Sequence, residues 1–570
     1  MEPNGSRIPH DISDYPFDVI VIGAGINGAA VARDAAIRGL KVLLLDKGDI
    51  SSGTTQWATR LIHGGLRYLQ YYEFTLVRES LKDREELLRM APHLVKPLGF
   101  LVPVYDYMSR GKLMVQAGMI AYDALSYDKS LERHHIYDRE QTLERYPGLN
   151  PEGLKGAAFY YDAQVEYAER IPVENAISAH ENGAVVLTYT KVDRIMVEDG
   201  RATGVEFENL LGGGRYSAHA PVILNMAGPW VDEVLGGMNR AEERMIGGTK
   251  GSHLIVDPFP GAPQTALYVE AQEDGRPYFI VPWNGRYLIG TTDIRYEDDL
   301  DYVEASEEEI QYLIEETNRV IPEANLTRGD VLFTYSGVRP LPYQPEGAEG
   351  SVTRSHIIYD HSKGRGVGTR KSGIGEGVPR VGGLISIVGG KLTTYRNLSR
   401  QTVDMVYDKL DLKAPGSHTG EVPLPGGDTQ DFEAFAAGFK AGSGLTDELA
   451  ERLLRLYGVR APDVLEMAGD DPSLKMPLGP SATVETGIIG AEVLYAFRRE
   501  LAQTLSDVLL RRTMVGMGPQ VGLDVDEAAA QVGVKHLGWT EERAGNEVEA
   551  YREFVERYRP KILRREAAET

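Results

Sequence analysis

Apolar residues along this chain follow three rhythms, and each rhythm predicts a different kind of element. The first is the short unbroken run. Phe17 to Ile22 and Lys41 to Leu45 are dominated by Val, Ile and Leu and predict strands buried on both faces of a parallel sheet. Between them, Ala29 to Arg38 holds good helix formers, and Gly39 stands where a helix C-terminal cap belongs. The segment is a complete strand–helix–strand unit. Ala184 to Thr188, Pro221 to Asn225 and Leu384 to Val388 repeat the run, the last followed by Gly389-Gly390 and a helix. The second rhythm is the three-to-four spacing of an amphipathic helix. It appears at Tyr72 to Met90 through Leu76, Leu81, Leu87 and Leu88, near Arg170 to Glu181, and from Ser306, where Glu309 completes a capping box, to Val320. It returns at Leu445 to Tyr457, Ala491 to Arg511 and Thr540 to Tyr558, beyond a Pro/Gly-rich linker at Pro423 to Asp428. The third is the strand pair: Tyr278 to Trp283 and Tyr287 to Thr292 flank Asn284-Gly285, a β-hairpin signal. No internal repeat is visible. Residues 361–383, rich in Gly, Lys and Arg, predict a mobile loop.

The first strand–helix–strand unit carries chemistry. Gly23-x-Gly25-x-x-Gly28 follows a strand and opens a helix, and Asp46 ends the next strand about 20 residues on. In that context Gly23 makes the tight turn, Gly25 lets a pyrophosphate approach the backbone, and Gly28 lets the helix pack on its strand. The pyrophosphate would sit on free N–H groups at the helix N-terminus, and Asp46 would accept from the adenosine ribose. A nicotinamide enzyme would continue with further strand–helix units. Here the chain runs into Ser51-Ser52-Gly53-Thr54-Thr55, a polar stretch suited to wrapping a larger cofactor. The second Gly-Gly turn would place another helix N-terminus against a flavin pyrimidine ring, where it stabilises the reduced anion. Both features favour FAD. The expected fold is therefore α/β: a Rossmann-like FAD-binding domain (1–85, 155–240, 325–415), an antiparallel-sheet substrate or cap domain (86–154, 241–324) and a C-terminal helical domain (425–570).

Composition narrows the picture further. The 570 residues carry a formal net charge of −23, which opposes a nucleic-acid partner and obliges any anionic substrate to meet a local cluster of Arg and Lys. There are no cysteines, hence no disulfide, thiolate iron–sulfur cluster or cysteinyl flavin, and electrons must travel on a bound organic cofactor. No metal site is expected. Met1 to Pro16 lacks the apolar core of a secretory signal, and no run reaches the ~18 apolar residues of a membrane span. The expected location is the cytoplasm, with peripheral contact at the inner face of the cell membrane.

Several strings are more specific than the glycine fingerprint. They are Leu61-Ile62-His63-Gly64-Gly65-Leu66-Arg67-Tyr68-Leu69, Met90-Ala91-Pro92-His93-Leu94 and Asn225-Met226-Ala227-Gly228-Pro229-Trp230. They continue with Lys250-Gly251-Ser252-His253, Ile289-Gly290-Thr291-Thr292-Asp293, Tyr335-Ser336-Gly337-Val338-Arg339-Pro340-Leu341 and Gly389-Gly390-Lys391-Leu392-Thr393-Thr394-Tyr395-Arg396. With Asp18 to Gly28, in this order over roughly the first 400 residues, the chain resembles the FAD-dependent glycerol-3-phosphate dehydrogenase family. Its C-terminal part resembles that family's extra domain more loosely. Residues 361–383 are longer and more glycine-rich than the family pattern, and the cysteine-rich tail of the anaerobic subgroup is missing. The expected FAD contacts are Gly23, Gly25, Asn27, Gly28, Asp46, Lys47, Ser52, Thr54, Thr55, Leu61, His63, Gly64, Val192, Ala227, Gly228, Trp230, Gly390, Lys391, Leu392 and Thr393.

The resemblance implies oxidation of sn-glycerol 3-phosphate to dihydroxyacetone phosphate, with hydride passing from C2 to flavin N5. Such a reaction needs a base, an acceptor and cations that hold the phosphate. His63 is the preferred base, with His253 its rival. Arg339 is the preferred phosphate fork, in a rigid Val-Arg-Pro segment. Arg67 and Lys391 join it, Lys391 with the alternative task of neutralising the reduced flavin, and Tyr68 is a weaker substrate candidate. Glu307-Glu308-Glu309 reads as a solvated helix start, and Arg511-Arg512 as a surface or interdomain salt bridge. A quinone is the expected electron acceptor. The alternatives are an oxidase that reduces oxygen to peroxide, an amino-acid or amine oxidase of the related fold, and a non-catalytic flavin sensor. A homodimer is also allowed. A quinone enzyme must reach the bilayer, and Lys112 to Leu125, with Leu113, Met114, Val115, Met119, Ile120 and Leu125, is the candidate docking segment against the bland reading of a core helix.

Overall fold

The computed structural model describes residues 8–108, 111–238, 244–344, 352–367, 380–479 and 487–563. Five apolar runs build a seven-stranded sheet in the order Leu384–Val388, Val222–Asn225, Val19–Ile22, Val42–Leu45, Val185–Leu187, with Ile357–Asp360 and then Arg365–Val367 added beyond Leu384–Val388. Val19 pairs in parallel with both Val42 and Val222, and every residue of those three strands is buried. Continuous apolar runs are what a parallel strand covered on both faces requires. Helix Ile26–Ile37 packs between Arg170–Glu181 and Tyr395–Lys409 on one face. On the other, the three-stranded sheet Thr190–Glu198, Arg201–Asn209, Arg215–His219 lays Ile195, Val205 and Phe207 against Ile20, Ile22, Leu43 and Leu45.

A ten-stranded sheet stands beside this layer and is mostly antiparallel. Its residues alternate between two cores: Tyr278 and Ile280 point to helix Glu307–Val320, while Phe279 and Val281 point to the opposite face. The hairpin turn falls at Asn284-Gly285, both in the left-handed region (φ 49° and 69°) that such a turn requires. Ser306 Oγ accepts from Glu309 N–H and closes the expected capping box.

Several expectations are corrected. Strands Leu154–Val165, from its second residue on, and Val331–Arg339, allotted to the nucleotide-binding domain, lie in the large sheet: the first pairs with Val95–Tyr105 along its whole length, the second with Thr249–Val256. Neither pairing is local, so neither is visible as a hairpin. The helix expected over Ala491 to Arg511 is broken. Gly490–Arg499 ends where Glu500 turns to pair with Arg170, Leu501 takes φ 62°, and Thr504 caps a new short helix that passes into a π-turn at Val508–Arg512. Of the loop expected at 361–383, Arg365–Val367 forms an edge strand, and 368–379 lie outside the described residues. Among the described residues no helix is long and apolar enough to cross a membrane, and no cluster of side chains could hold a metal.

Candidate active site

The two glycine turns meet at the carboxyl ends of the parallel strands, where open α/β sheets bind ligands. Gly23 takes φ +105°, and a Cβ there would lie 2.5 Å from the Met226 carbonyl oxygen. A Cβ on Gly28 would collide with the Gly23 carbonyl, so Gly28 sets the approach of helix and strand. Gly25 differs from both. A Cβ there meets only the Thr55 hydroxyl, at 3.5 Å, an ordinary contact. The polypeptide alone would tolerate a side chain at 25, so the bare backbone there leaves space on the cavity side. Ile26 N–H, at the helix start, donates to Thr55 Oγ1 at 3.1 Å. Asp46 accepts from Ala24 N–H at 2.5 Å and Gly48 N–H at 2.8 Å, fixing the turn. Asn27 Nδ2 donates to the Gly389 carbonyl at 3.5 Å and ties the two turns together.

These groups border one cavity of about 1550 Å³. The expected residues Gly23, Gly25, Asn27, Asp46, Lys47, Ser52, Thr54, Thr55, Leu61, His63, Val192, Ala227, Gly228, Trp230, Gly390, Lys391, Leu392 and Thr393 all line it, as do Arg67, Tyr68, His253 and Arg339. Gly28 and Gly64 do not. Gly28 serves packing, and Gly64 faces helix Lys112–Leu125, its N–H donating to the Tyr122 hydroxyl at 2.9 Å. Asn27 Oδ1 and Trp230 Nε1 are buried with no protein partner. An unmet acceptor and an unmet donor, a bare Gly25 and a helix N-terminus in one elongated cavity fit a dinucleotide.

At the other end of the cavity, His63 follows the two-residue strand Leu61–Ile62. Its backbone N–H donates to Thr393 Oγ1 at 3.2 Å, and its carbonyl accepts from Lys391 Nζ at 3.2 Å. Burial first, and the Lys391 charge second, push the His63 imidazole down to about 3. Lys391 also donates to Ser80 Oγ at 3.0 Å and lies 4.8 Å over the Tyr68 ring. Burial pushes its ammonium down to about 7, against the pull of Asp162, Glu73 and Asp83. His253 stacks on Tyr335 with centroids 4.7 Å apart, and its Nε2 is 3.0 Å from Thr59 Oγ1.

Arg339 closes the last strand of the large sheet. Its guanidinium donates to Asp293 at 3.1 Å and Thr291 Oγ1 at 3.0 Å. The other oxygen of Asp293 pairs with Arg354 at 2.9 Å. Burial pushes the Asp293 carboxyl up, but Arg339 and Arg354 outweigh this and hold it below the usual range. Arg354 also lines the cavity, as does Asp293, the last residue of the Ile289-Gly290-Thr291-Thr292-Asp293 string. Arg354 sits in Val352-Thr353-Arg354-Ser355, which has neither periodicity nor a recognisable motif, so only the folded chain finds it. Arg511 and Arg512 make the interdomain bridge expected of them: both are buried against Asp49.

Residues 18–394 match the family model described as FAD dependent oxidoreductase, and residues 417–544 match the C-terminal domain of alpha-glycerophosphate oxidase. A glycerol-3-phosphate dehydrogenase of Synechocystis is 47% identical over 557 residues, 96% of this chain and 97% of its own length. A D-erythritol 1-phosphate dehydrogenase of Brucella abortus is 38% identical over 501 residues, 87% of this chain and 94% of its own. The crystal structure of a glycerol-3-phosphate dehydrogenase from Bacillus halodurans, complexed with FAD, superposes with a TM-score of 0.74 at 26% identity and covers 96% of both chains. The cavity, its two glycine turns and these matches over nearly the full length agree: the chain belongs to the FAD-dependent oxidoreductases and, among them, to the glycerol-3-phosphate dehydrogenase family.

Proposed function

We infer that this protein oxidises sn-glycerol 3-phosphate to dihydroxyacetone phosphate with FAD and hands the electrons to a quinone. The observation that carries the reading is the shared carboxylate. Arg339 and Arg354 both bind Asp293, which holds two guanidinium groups side by side at a cavity whose other end fits a dinucleotide. A phosphate dianion suits such a cluster of forks, with Lys391 and Arg67 lining the same space. An amino-acid carboxylate would need one fork rather than a cluster.

Bound FAD supplies the acceptor for the hydride leaving C2. The chain's own groups do the rest. His63 is uncharged at neutral pH, so its ring has a lone pair for the C2 hydroxyl proton, and an approaching phosphate dianion raises its proton affinity. Arg339 and Arg354 set the distance from the phosphate to C2. Lys391 carries its charge between His63 and Tyr68. Anaerobic stopped-flow tests the reading: glycerol 3-phosphate should bleach the flavin faster than erythritol 1-phosphate or glycerol, and failure to bleach sinks it. Re-oxidation of the bleached protein by a quinone analogue, rather than by oxygen with peroxide formation, is the expected second phase.

The acceptor is reached at the inner face of the cell membrane. Helix Lys112–Leu125 leaves Leu113 83%, Met114 62% and Ile120 57% exposed. Met119 and Tyr122 face inward, so Met119 belongs to the core and not to the docking face. Beneath this helix a separate cavity of about 280 Å³, lined by Phe74, Val102, Met114 and Val115, shares Leu66, Arg67 and Tyr268 with the wall of the main one. An apolar cavity beside the substrate end supports a lipid-soluble acceptor.

A further inference from the structure

The segment 46–57 forms one wall of the cofactor cavity through Asp46, Gly48, Asp49, Ser52, Thr54 and Thr55. A wall of this kind is irregular backbone and needs fixing from outside. Two neighbouring hydrogen bonds hold its start: Tyr189 N–H to the Gly48 carbonyl at 2.9 Å and Thr190 N–H to the Asp46 carbonyl at 2.7 Å. Its middle is held differently. Asp49 is fully buried, with Oδ2 at 2.6 Å from Arg511 Nε and 2.8 Å from Arg512 Nη1, and Oδ1 at 2.8 Å from Arg512 Nη2. Both arginines stand on the C-terminal domain, more than 450 residues along the chain.

Successive residues on an α-helix point about 100° apart and do not normally grip one carboxylate. Here the backbone changes to a π-turn over Val508–Arg512, and the two side chains converge. Arg511 then reaches on, donating to Gln56 Oε1 at 3.3 Å and to Asp507 Oδ1 at 2.8 Å. Asp507 accepts from the Tyr189 hydroxyl at 2.5 Å, which returns the chain of bonds to the start of the same segment. The C-terminal domain also borders the cavity directly, with Arg511, Thr504 and, from helix Glu541–Glu556, Arg543 and Asn546 among its lining.

We propose that the C-terminal domain is part of the cofactor site: Arg511 and Arg512 are positioning residues that clamp Asp49 and hold the 46–57 wall in the conformation that binds FAD. The proposal rests on the FAD reading. Cutting the clamp leaves a buried carboxylate short of partners, and the wall moves before the sheet does, because the sheet strands have their own ladder bonds. The domain is thereby read as a cofactor-retention element rather than an appendage.

The test compares two buried interdomain arginines of equal burial. Arg512→Gln cuts the clamp at the cavity. Arg170→Gln cuts the Arg170–Glu500 pair, whose members do not line the cavity; it also loses the bond to the Arg512 carbonyl at 3.5 Å but leaves the Arg512–Asp49 contacts in place, so it separates the side-chain clamp from the interdomain packing around it. FAD release from each yellow holoprotein is followed by flavin fluorescence after dilution, and the visible dichroism of the retained flavin is recorded. Arg512→Gln should speed FAD release on the order of 10- to 100-fold, the worth of a charge-assisted contact, and alter the dichroism. Arg512→Lys, which keeps one charged contact, should recover part of it, and Arg170→Gln should lower the melting temperature while releasing FAD at nearly the wild-type rate. Equal release from the two Gln variants, or wild-type release from Arg512→Gln, overturns the clamp. A wild-type protein that purifies without FAD fails the underlying reading instead. If Arg512→Gln does not fold, Asp49→Asn, which removes the charge and one acceptor oxygen while keeping the volume, is measured in its place against the same control and limits.

Discussion

The two ends of the main cavity are built on opposite plans. The nucleotide end is a backbone structure: Gly23, Gly25, Ile26 and Asp46 lie within 24 residues of one another, and what they offer is missing side chains and main-chain N–H groups. The substrate end is a side-chain structure. His63, Asp293, Arg339, Arg354 and Lys391 converge from five separate segments, and each is held by partners of its own. A backbone site fails by steric intrusion, all at once. A side-chain site loses its contributions one at a time, in proportion to the contact removed.

The largest effect should follow from intruding on the backbone plan. Gly25→Val should fold, since the neighbouring protein leaves room for the Cβ, yet purify colourless because the side chain stands where the pyrophosphate belongs. Absorbance at the flavin band per mole of protein, with the melting curve of the same sample, checks both halves. Full flavin content would show that the pyrophosphate lies elsewhere. Next comes the base. His63→Asn should retain FAD and slow anaerobic flavin reduction by ~10²- to 10⁴-fold. An unchanged rate at neutral pH would pass the role to His253.

The contrast also explains what could be read from the chain. The glycine fingerprint, the acidic strand end and the apolar runs are local patterns, so the glycine turns and the five parallel strands of the sheet were legible before folding, whereas its two antiparallel edge strands, Ile357–Asp360 and Arg365–Val367, were not. His63, Arg67, Tyr68, Arg339 and Lys391, picked out by the family-like strings around them, all line the cavity. Arg354 was not, because its importance comes from sharing Asp293 across the fold. Leu154–Val165 and Val331–Arg339 were assigned to the wrong layer for the same reason: their partners, Val95–Tyr105 and Thr249–Val256, are set by long-range register and not by a turn. The π-turn at Val508–Arg512 looks like ordinary helix in sequence, and only the buried Asp49 it serves reveals it. Gly64 marks the limit of carrying a motif over whole, since its neighbours line the cavity while its own contacts face the helix behind.

Single losses at the substrate end should be graded. Arg339→Ala should weaken glycerol 3-phosphate on the order of 10- to 100-fold, as should Arg354→Ala, while the poor oxidation of glycerol barely changes. Because both hold Asp293, removing both should cost less than the product of the two single losses. Simple multiplication would mean that they act on the substrate independently. The pH dependence is gentler. Burial disfavours the charged form of Lys391, so its cost to stability is full below about 7 and fades as pH rises towards the ordinary lysine range. Substrate binding runs the other way: a phosphate dianion prefers the charged lysine. Affinity should fall by roughly threefold or more between pH 6.5 and 8.5, where the phosphate is already a dianion. Lys391→Arg, charged throughout, should flatten that profile, and a slope as steep as the wild type's would place the titrating group elsewhere.

The smallest expected effect lies outside both ends, on the helix above the apolar cavity. Leu113 and Ile120 are exposed and apolar on a protein of net charge −23, so contact with anionic headgroups has to be won by local apolar burial. Each side chain that enters the interface contributes about 1.5–3 kcal/mol at most, and less when partly inserted. Leu113→Glu with Ile120→Glu should therefore loosen binding to vesicles and lower turnover with a membrane quinone several-fold. Turnover with a water-soluble dye, which needs no bilayer, should stay at the wild-type level. Met119→Glu is the informative contrast, because Met119 is buried on the same helix: it should lower the melting temperature and both activities together. If the exposed pair behaves as Met119 does, the helix is packing and nothing more. If quinone turnover is untouched, the acceptor reaches the flavin by another face.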